Sequence, residues 1–133
     1  MPLNEKEEAL LAKSEEALEL LYDYFQYSSN CKPYDYTSEL MNKMTEAVTA
    51  SIRFNNSLVK ALEDKVVVLS PQALSMLNSF YSFYEQMPKN ASEVENIGGA
   101  VLMDVYTGII QNITPIALLI STELSTKWFK LFF

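Results

Sequence analysis

The strongest constraint in this sequence is a helical spacing of apolar residues, which recurs along most of the chain. In the N-terminal part, small or apolar side chains return every three or four positions, and acidic side chains occupy the positions between them. This period places one side of a helix against a core and the other side in water. The side chains predicted to face the core are Leu10, Ser14, Ala17, Leu21 and Tyr24.

Two predicted helices make up the first half of the chain. Asn4 and Glu7 have the spacing of a capping box, in which each side chain bonds the backbone amide of the other, so the first helix begins there. It ends near Ser28, before a loop over 29–35 that contains a proline. The second helix spans about 38–66, where apolar residues again recur at helical spacing.

The second half contains three further signals for the start of a helix. A Ser-Pro pair at 70–71 begins a third helix, which stops before Pro88. Ser92 and Glu95 form another capping-box pair and begin a fourth helix. A Thr-Pro pair at 114–115 begins a fifth element. The predicted fold class is therefore all-α, a compact bundle of four to five antiparallel helices.

Length, charge and composition limit the functions that the chain can have. The 133 residues, 49% of them hydrophobic, are enough for a single domain over 1–133 with a sizeable core. The net charge of −7 repels phosphate backbones, so we expect no direct binding of nucleic acid. The chain has no histidine, its only cysteine is Cys31, and it has neither a glycine-rich phosphate loop nor a G-x-S-x-G turn. We therefore expect no enzymatic activity, no cofactor and no metal.

Two features bear on the location of the protein. The N-terminal residues carry mixed charge, unlike a signal peptide, so we expect an intracellular or virion-internal protein that is not secreted by a signal peptide. Residues 97–122 contain one charge, Asp104, which leaves membrane insertion through 97–120 as an alternative. Polar residues such as Gln111 and Asn112 are costly in lipid, so we prefer a central pair of helices covered on most sides.

Acidic residues are concentrated on the outer side of the first helix. The first 23 residues contain seven acids and two lysines, a net charge of −5. A solvated face is the simplest interpretation, and a docking surface for a basic partner protein is the alternative. The residues of this predicted acidic surface are Glu8, Glu15, Glu16, Glu19 and Asp23.

Two aromatic regions are candidates for intermolecular contact. The rings of Tyr22, Tyr24, Phe25 and Tyr27 cover more than half of the circumference of a helix end, so some of them must face water or a partner. The tyrosine-rich loop that follows, and the aromatic C-terminal tail, either cap the chain's own bundle or dock on another molecule. The predicted interface residues are Tyr27, Tyr34, Tyr36, Trp128, Phe129, Phe132 and Phe133.

Several stretches together resemble the small helical proteins of crenarchaeal viruses. They are the opening NEKEEALLAKSEEALELL, the tyrosine-rich loop, the SPQAL cap and the closing ITPIALLISTELSTKWFKLFF. Within that group the chain is similar to a virion structural protein of the Acidianus two-tailed virus. The resemblance implies a compact helical bundle that serves as a virion building block or, in a related protein, as a regulator that occupies the host RNA polymerase. It brings no catalytic residues.

The expected function is therefore that of a non-enzymatic virion structural or assembly protein, located in the virion or the host cytoplasm. Its expected partners are further copies of itself or other virion proteins. One alternative is an acidic viral regulator that binds the basic nucleic-acid channel of host RNA polymerase or a similar enzyme. The other alternative is a protein that inserts into a membrane through 97–120.

Overall fold

The computed structural model describes the backbone of residues 3–29, 38–65 and 69–132 and the side chains of 3–29, 39–65 and 69–125. Within these ranges the chain is all-helical, which confirms the predicted class. The described residues form seven helices, more than the four to five expected. They are α1 (Glu5–Ser29), α2 (Ser38–Glu63), α3 (Pro71–Ser75), α4 (Leu77–Gln86), α5 (Ala91–Glu95), α6 (Gly99–Asn112) and α7 (Thr114–Phe132).

Two of the predicted helix starts are confirmed in atomic detail. The Oδ1 of Asn4 accepts a hydrogen bond from the amide of Glu7 at 2.8 Å, and the amide of Asn4 donates to Oε1 of Glu7 at 3.2 Å. At α3, the Oγ of Ser70 accepts from the amide of Ala73 at 3.1 Å, and Pro71 is the first helical residue. These side chains satisfy amides that a helix leaves unpaired in its first turn.

The predicted third helix is broken into α3 and α4. The break lies at Met76, whose amide donates to the carbonyl of Ala73 at 3.1 Å, a tighter three-residue step than an α-helix has. Phe80 of α4 is fully buried beyond this break. The tighter turn carries no glycine or proline signal, which is why the sequence predicted one continuous helix.

The predicted start of the fourth helix at Ser92 is wrong. The cap is Asn90, whose Oδ1 accepts from the amide of Glu93 at 2.9 Å, while Oε2 of Glu93 accepts from the amide of Lys89. This capping arrangement begins the one-turn helix α5, and the longer helix α6 begins only at Gly99. Asn90 and Ser92 both carry a side-chain oxygen that can cap a helix, and Asn90 is the residue that caps α5.

Helices α6 and α7 meet at Ile113 with a bend of 46° between them. Pro115 has no amide hydrogen to continue the hydrogen bonds of α6, which accounts for a break at this point. Helix α7 begins at Thr114, as predicted. The hydroxyl of Thr114 donates a hydrogen bond to the carbonyl of Ile109 in α6, at 3.3 Å.

The centre of the core is α2, which contacts α1, α5 and α6. Its buried residues occupy more than half of the helix circumference, from Ala50 on one flank through Met44 to Ile52 on the other. The expectation that 97–122 forms the covered central pair is wrong, because large apolar side chains of both α6 and α7 are exposed. These are Val101, Ile110 and Leu118.

One hydrophobic cluster receives buried side chains from all seven helices. The α1 residues predicted to face the core, from Leu10 to Tyr24, are all buried. In the described ranges, no single helix has both the length and the apolar character of a membrane span, whereas α6 and α7 as far as Ser125 pass that test only when taken together. Membrane insertion stays a prediction, which partition into liposomes would test.

Candidate protein-interaction surface

The solvent-facing side of α1 carries an acidic stripe, which we define as Glu8, Glu15, Glu19 and Asp23. All four side chains are exposed. They are exposed because the opposite side of α1, from Leu10 to Tyr24, is held against the core. The stripe is therefore a set of carboxylates on one helix, available to a partner from solvent.

Glu16, the fifth predicted member of the acidic surface, has a different role. It is half-buried, and its Oε1 lies 2.5 Å from Nη1 of Arg53 on α2. Both side chains retain solvent contact, so the ion pair adds little stability. Its effect is to neutralise Glu16 locally, which leaves the acidic stripe with four carboxylates.

Two rings at the end of α1 project into solvent, and we call Tyr22 and Phe25 the aromatic pair. Tyr22 is 61% exposed and Phe25 is 58% exposed. The hydroxyl of Tyr22 accepts a hydrogen bond from Nε2 of Gln26 at 2.9 Å. Tyr22 comes three residues after Glu19, and residues at that spacing are neighbours on a helix surface, so the aromatic pair adjoins the acidic stripe.

The other two rings of this region are used inside the molecule. Tyr24 is buried and packs edge-on against Tyr106 of α6, with ring centroids 4.7 Å apart. Tyr27 is half-buried, its hydroxyl lies 3.1 Å from Oε2 of Glu39, and its ring centroid lies 5.2 Å from the ammonium of Lys43. Tyr27 thus joins α1 to α2, and its predicted role in intermolecular contact stays a prediction.

The remaining predicted interface residues lie outside what the structure describes. Tyr34, Tyr36 and Phe133 fall outside the described residues altogether. The side chains of Trp128, Phe129 and Phe132 do so as well, although their backbone belongs to α7. Their proposed contacts stay predictions.

Tyr22 and Phe25 are not among the predicted interface residues, although the sequence indicated that Tyr22 would be exposed. Tyr24 continues the buried series of α1 at helical spacing, and this leaves Tyr22 on the outer side of the same helix. Phe25 was less predictable, because it follows Leu18 at a seven-residue spacing on the flank of α1. Leu18 is half-buried, whereas Phe25, seven residues later on the same flank, is 58% exposed.

Among the residues that the structure describes, three ionisable groups have a pKa shifted by their surroundings. A hydrogen bond from the ammonium of Lys6, at 2.6 Å, lowers the pKa of the Asp64 carboxyl. Desolvation lowers the pKa of Lys89, and burial raises the pKa of Tyr106. In the ranges described, no three potential metal-ligating side chains come together.

Comparison with known proteins identifies no relative: no family model, no curated protein and no solved structure matches the chain. The resemblance to proteins of crenarchaeal viruses therefore depends on the sequence stretches that suggested it.

Proposed function

We propose that this protein is not an enzyme and acts by protein–protein contact, as a structural or assembly component of a virus particle. The observation that carries the proposal is the aromatic pair, two large rings left mostly in solvent at the end of a helix whose other side is fully packed. The virus particle as the setting is supported by the resemblance of the sequence to crenarchaeal virion proteins.

Exposed rings of this kind favour association. Complete burial of a phenylalanine side chain is worth about 1.5–3 kcal/mol, and the isolated chain forgoes part of this at Phe25, which is 58% exposed. Tyrosine is enriched at interfaces because its ring gives apolar contact while its hydroxyl accepts bonds at the rim. The aromatic pair has the size and chemistry of an interface anchor.

The acidic stripe beside the aromatic pair constrains the partner. A surface that covers the aromatic pair brings its own charges close to Glu19 and Asp23. Lysine or arginine there would be attracted, and further carboxylates would be repelled. We infer that the surface contacting the aromatic pair carries basic side chains at its rim, whether on another virion protein or on a basic patch of another copy.

Light scattering on the purified full-length chain tests the proposal. The parent should form particles heavier than the 15.1 kDa monomer, and the double variant Tyr22→Ser/Phe25→Ser should not. The matched control is Tyr81→Ser, which removes an exposed ring from α4 instead. If parent, double variant and control are all folded monomers, the chain does not assemble through this surface.

A second candidate is an acidic regulator that occupies the basic nucleic-acid channel of host RNA polymerase. The observation that favours it is the row of four exposed carboxylates on one helix face. Replacing all four by lysine should abolish capture of the polymerase, and parent binding should weaken steeply with salt. The control has the same net charge but reverses exposed acids elsewhere, namely Glu46, Glu63, Glu85 and Glu95. Equal binding by both reversed variants would exclude the stripe as the contact.

A further inference from the structure

A groove of about 420 Å³ lies between α4 and the C-terminal end of α6. Its lining residues are Asn78, Ser79, Ser82, Phe83, Gln86 and Asn112. The volume falls within the range of about 300–1,000 Å³ that small-molecule sites occupy. The groove shares no residue with the aromatic pair or the acidic stripe, so what it binds is independent of the proposed function.

The lining of the groove is polar and uncharged. It consists of three carboxamides, two hydroxyls and one aromatic ring. The side chains of Asn78, Ser79, Ser82 and Gln86 are exposed, so their polar atoms are accessible to a ligand. Asn112 uses its Nδ2 to donate to the carbonyl of Gly108 at 3.0 Å, which leaves its Oδ1 available as an acceptor. A carboxamide offers both donors and an acceptor.

The ring in the groove is held in place by the backbone of α6. Gly108 faces Phe83, and a Cβ at that position would overlap the ring. Only a residue without a side chain lets α4 come this close. Phe83 is half-buried in this contact, so it presents a positioned ring rather than a free one.

The chemistry of the lining excludes most ligand classes. Phosphates and carboxylates need lysine or arginine, and cations need carboxylates, but none of the six lining residues is charged. An apolar ligand needs a mostly apolar lining. Peptides bind to sheet edges, to apolar grooves or to grooves lined with several aromatic rings, and none of these describes this groove. The surrounding sequence agrees, because residues 66–84 contain no charged residue.

We propose that this groove binds a neutral saccharide. Sugar hydroxyls both donate and accept hydrogen bonds, which matches carboxamides and serine hydroxyls placed side by side on α4. Asn78, Ser82 and Gln86 follow one another at four-residue spacing and so form a row along the helix. The apolar C–H face of a sugar ring packs on Phe83, while its hydroxyls reach the row and Asn112.

Amide chemical shifts of the full chain, followed by NMR during titration with maltose and with N,N′-diacetylchitobiose, test this proposal. At least one disaccharide should shift, in a saturable way, resonances of α4 and the last turn of α6. Ser82→Tyr fills the groove and should weaken binding at least about tenfold, the equivalent of about 1.4 kcal/mol. Ser92→Tyr changes an exposed helical serine outside the groove and should leave binding unchanged.

Three results would overturn the proposal. The first is that neither disaccharide shifts these resonances. The second is that the shifts persist undiminished in Ser82→Tyr. The third is that inorganic phosphate shifts the same resonances as strongly as the sugar, which would mean that the groove selects anions rather than neutral hydroxyl compounds.

Discussion

Asn55 is a fully buried polar residue in the middle of the most buried helix. Its Nδ2 donates to the Sδ of Met87 at 2.8 Å, a weak acceptor, and its Oδ1 has no partner among the described residues. A buried acceptor without a partner costs about 1–3 kcal/mol. This amide therefore opposes the packing energy that the surrounding apolar side chains provide.

We predict that Asn55→Leu raises the free energy of unfolding by about 1 kcal/mol, because a side chain of similar volume removes the unpaired oxygen. Ser51→Ala is the control, since the hydroxyl of that buried residue already bonds the carbonyl of Ala47 at 2.9 Å and its removal should change stability little. Urea unfolding of both variants gives the comparison. A loss of stability in Asn55→Leu would contradict the assignment of a net cost to the unpaired oxygen.

Lys65 follows α2 in the left-handed backbone region, with φ of 56°. Its amide donates to the carbonyl of Leu62 at 3.2 Å and so closes the end of the helix. Glycine adopts this conformation without strain between Cβ and the carbonyl. We predict that Lys65→Gly stabilises the protein by about 0.5–1 kcal/mol, measured by thermal or urea unfolding.

The matched variant Lys60→Gly should have the opposite effect. It places glycine inside α2, where the loss of helix propensity costs up to about 1 kcal/mol. If both variants are destabilised equally, the left-handed conformation of Lys65 does not strain the folded chain.

Helix α6 owes its contact with α4 to Gly108. A side chain there overlaps the ring of Phe83, so we predict that Gly108→Ala destabilises the protein by about 1–3 kcal/mol, the usual cost of overpacking. Gly99→Ala is the matched control, because a Cβ at that position meets only the flexible end of Met41 at 3.4 Å. It should be neutral or stabilising, since alanine favours a helix over glycine. Equal unfolding midpoints for the two variants would contradict this account of the contact.

The pairing of α1 with α6 through Tyr24 and Tyr106 makes stability depend on alkaline pH. Burial raises the pKa of Tyr106 in the folded chain above its ordinary value of 10.0. Above pH 10 the unfolded chain loses the phenolic proton of Tyr106 before the folded chain does. The contribution of the buried, neutral Tyr106 to stability is therefore full below pH 10 and is lost as pH rises through the pKa of the folded state. Tyr106→Phe should therefore lose less stability than the parent between about pH 9 and 11, measured by urea unfolding. An identical pH dependence in both proteins would contradict the assignment.

The helix whose structure could be predicted most completely is α1. Its N-terminal cap is formed by two nearby residues, Asn4 and Glu7, and its buried side faces the core from Leu10 to Tyr24. The helical period and the capping residues were therefore sufficient to predict this helix. The division of the later helices could not be predicted in this way. Five-residue helices such as α3 and α5 are too short to show a period, and the break at Met76 has no sequence signal.

The interaction surface was partly predictable for the same physical reason. The exposed carboxylates of the acidic stripe follow from the helical period of α1 alone. The neutralisation of Glu16 does not, because its partner Arg53 lies on another helix. Likewise, Val101 and Leu118 are as apolar as their buried neighbours, and only the arrangement of the other helices decides that they are exposed.

The molecule as a whole distributes its charge unevenly. Of its 27 charged residues, 19 lie in 1–65, and the aromatic pair belongs to this charged half. A partner that covers the aromatic pair therefore experiences the electrostatic field of these charges, which salt screens. We predict that salt weakens association, because the inferred contact joins the acidic stripe to basic side chains, whether these belong to another virion protein or to a basic patch of another copy. Light scattering or binding across a salt series measures this, and association that strengthens with salt or does not respond to it would contradict the inferred charge pattern.

If the protein associates through the aromatic pair, Tyr22 and Phe25 become buried in the associated state. Hydroxyl-radical footprinting read by mass spectrometry measures the accessibility of both side chains in the dilute chain and in the assembled or partner-bound form, with the exposed Leu74 of α3 as an internal reference. We predict that labelling of Tyr22 and Phe25 falls several-fold on association while that of Leu74 stays constant. Unchanged labelling of the aromatic pair in a complex that has formed would show that the protein makes its contacts through another surface.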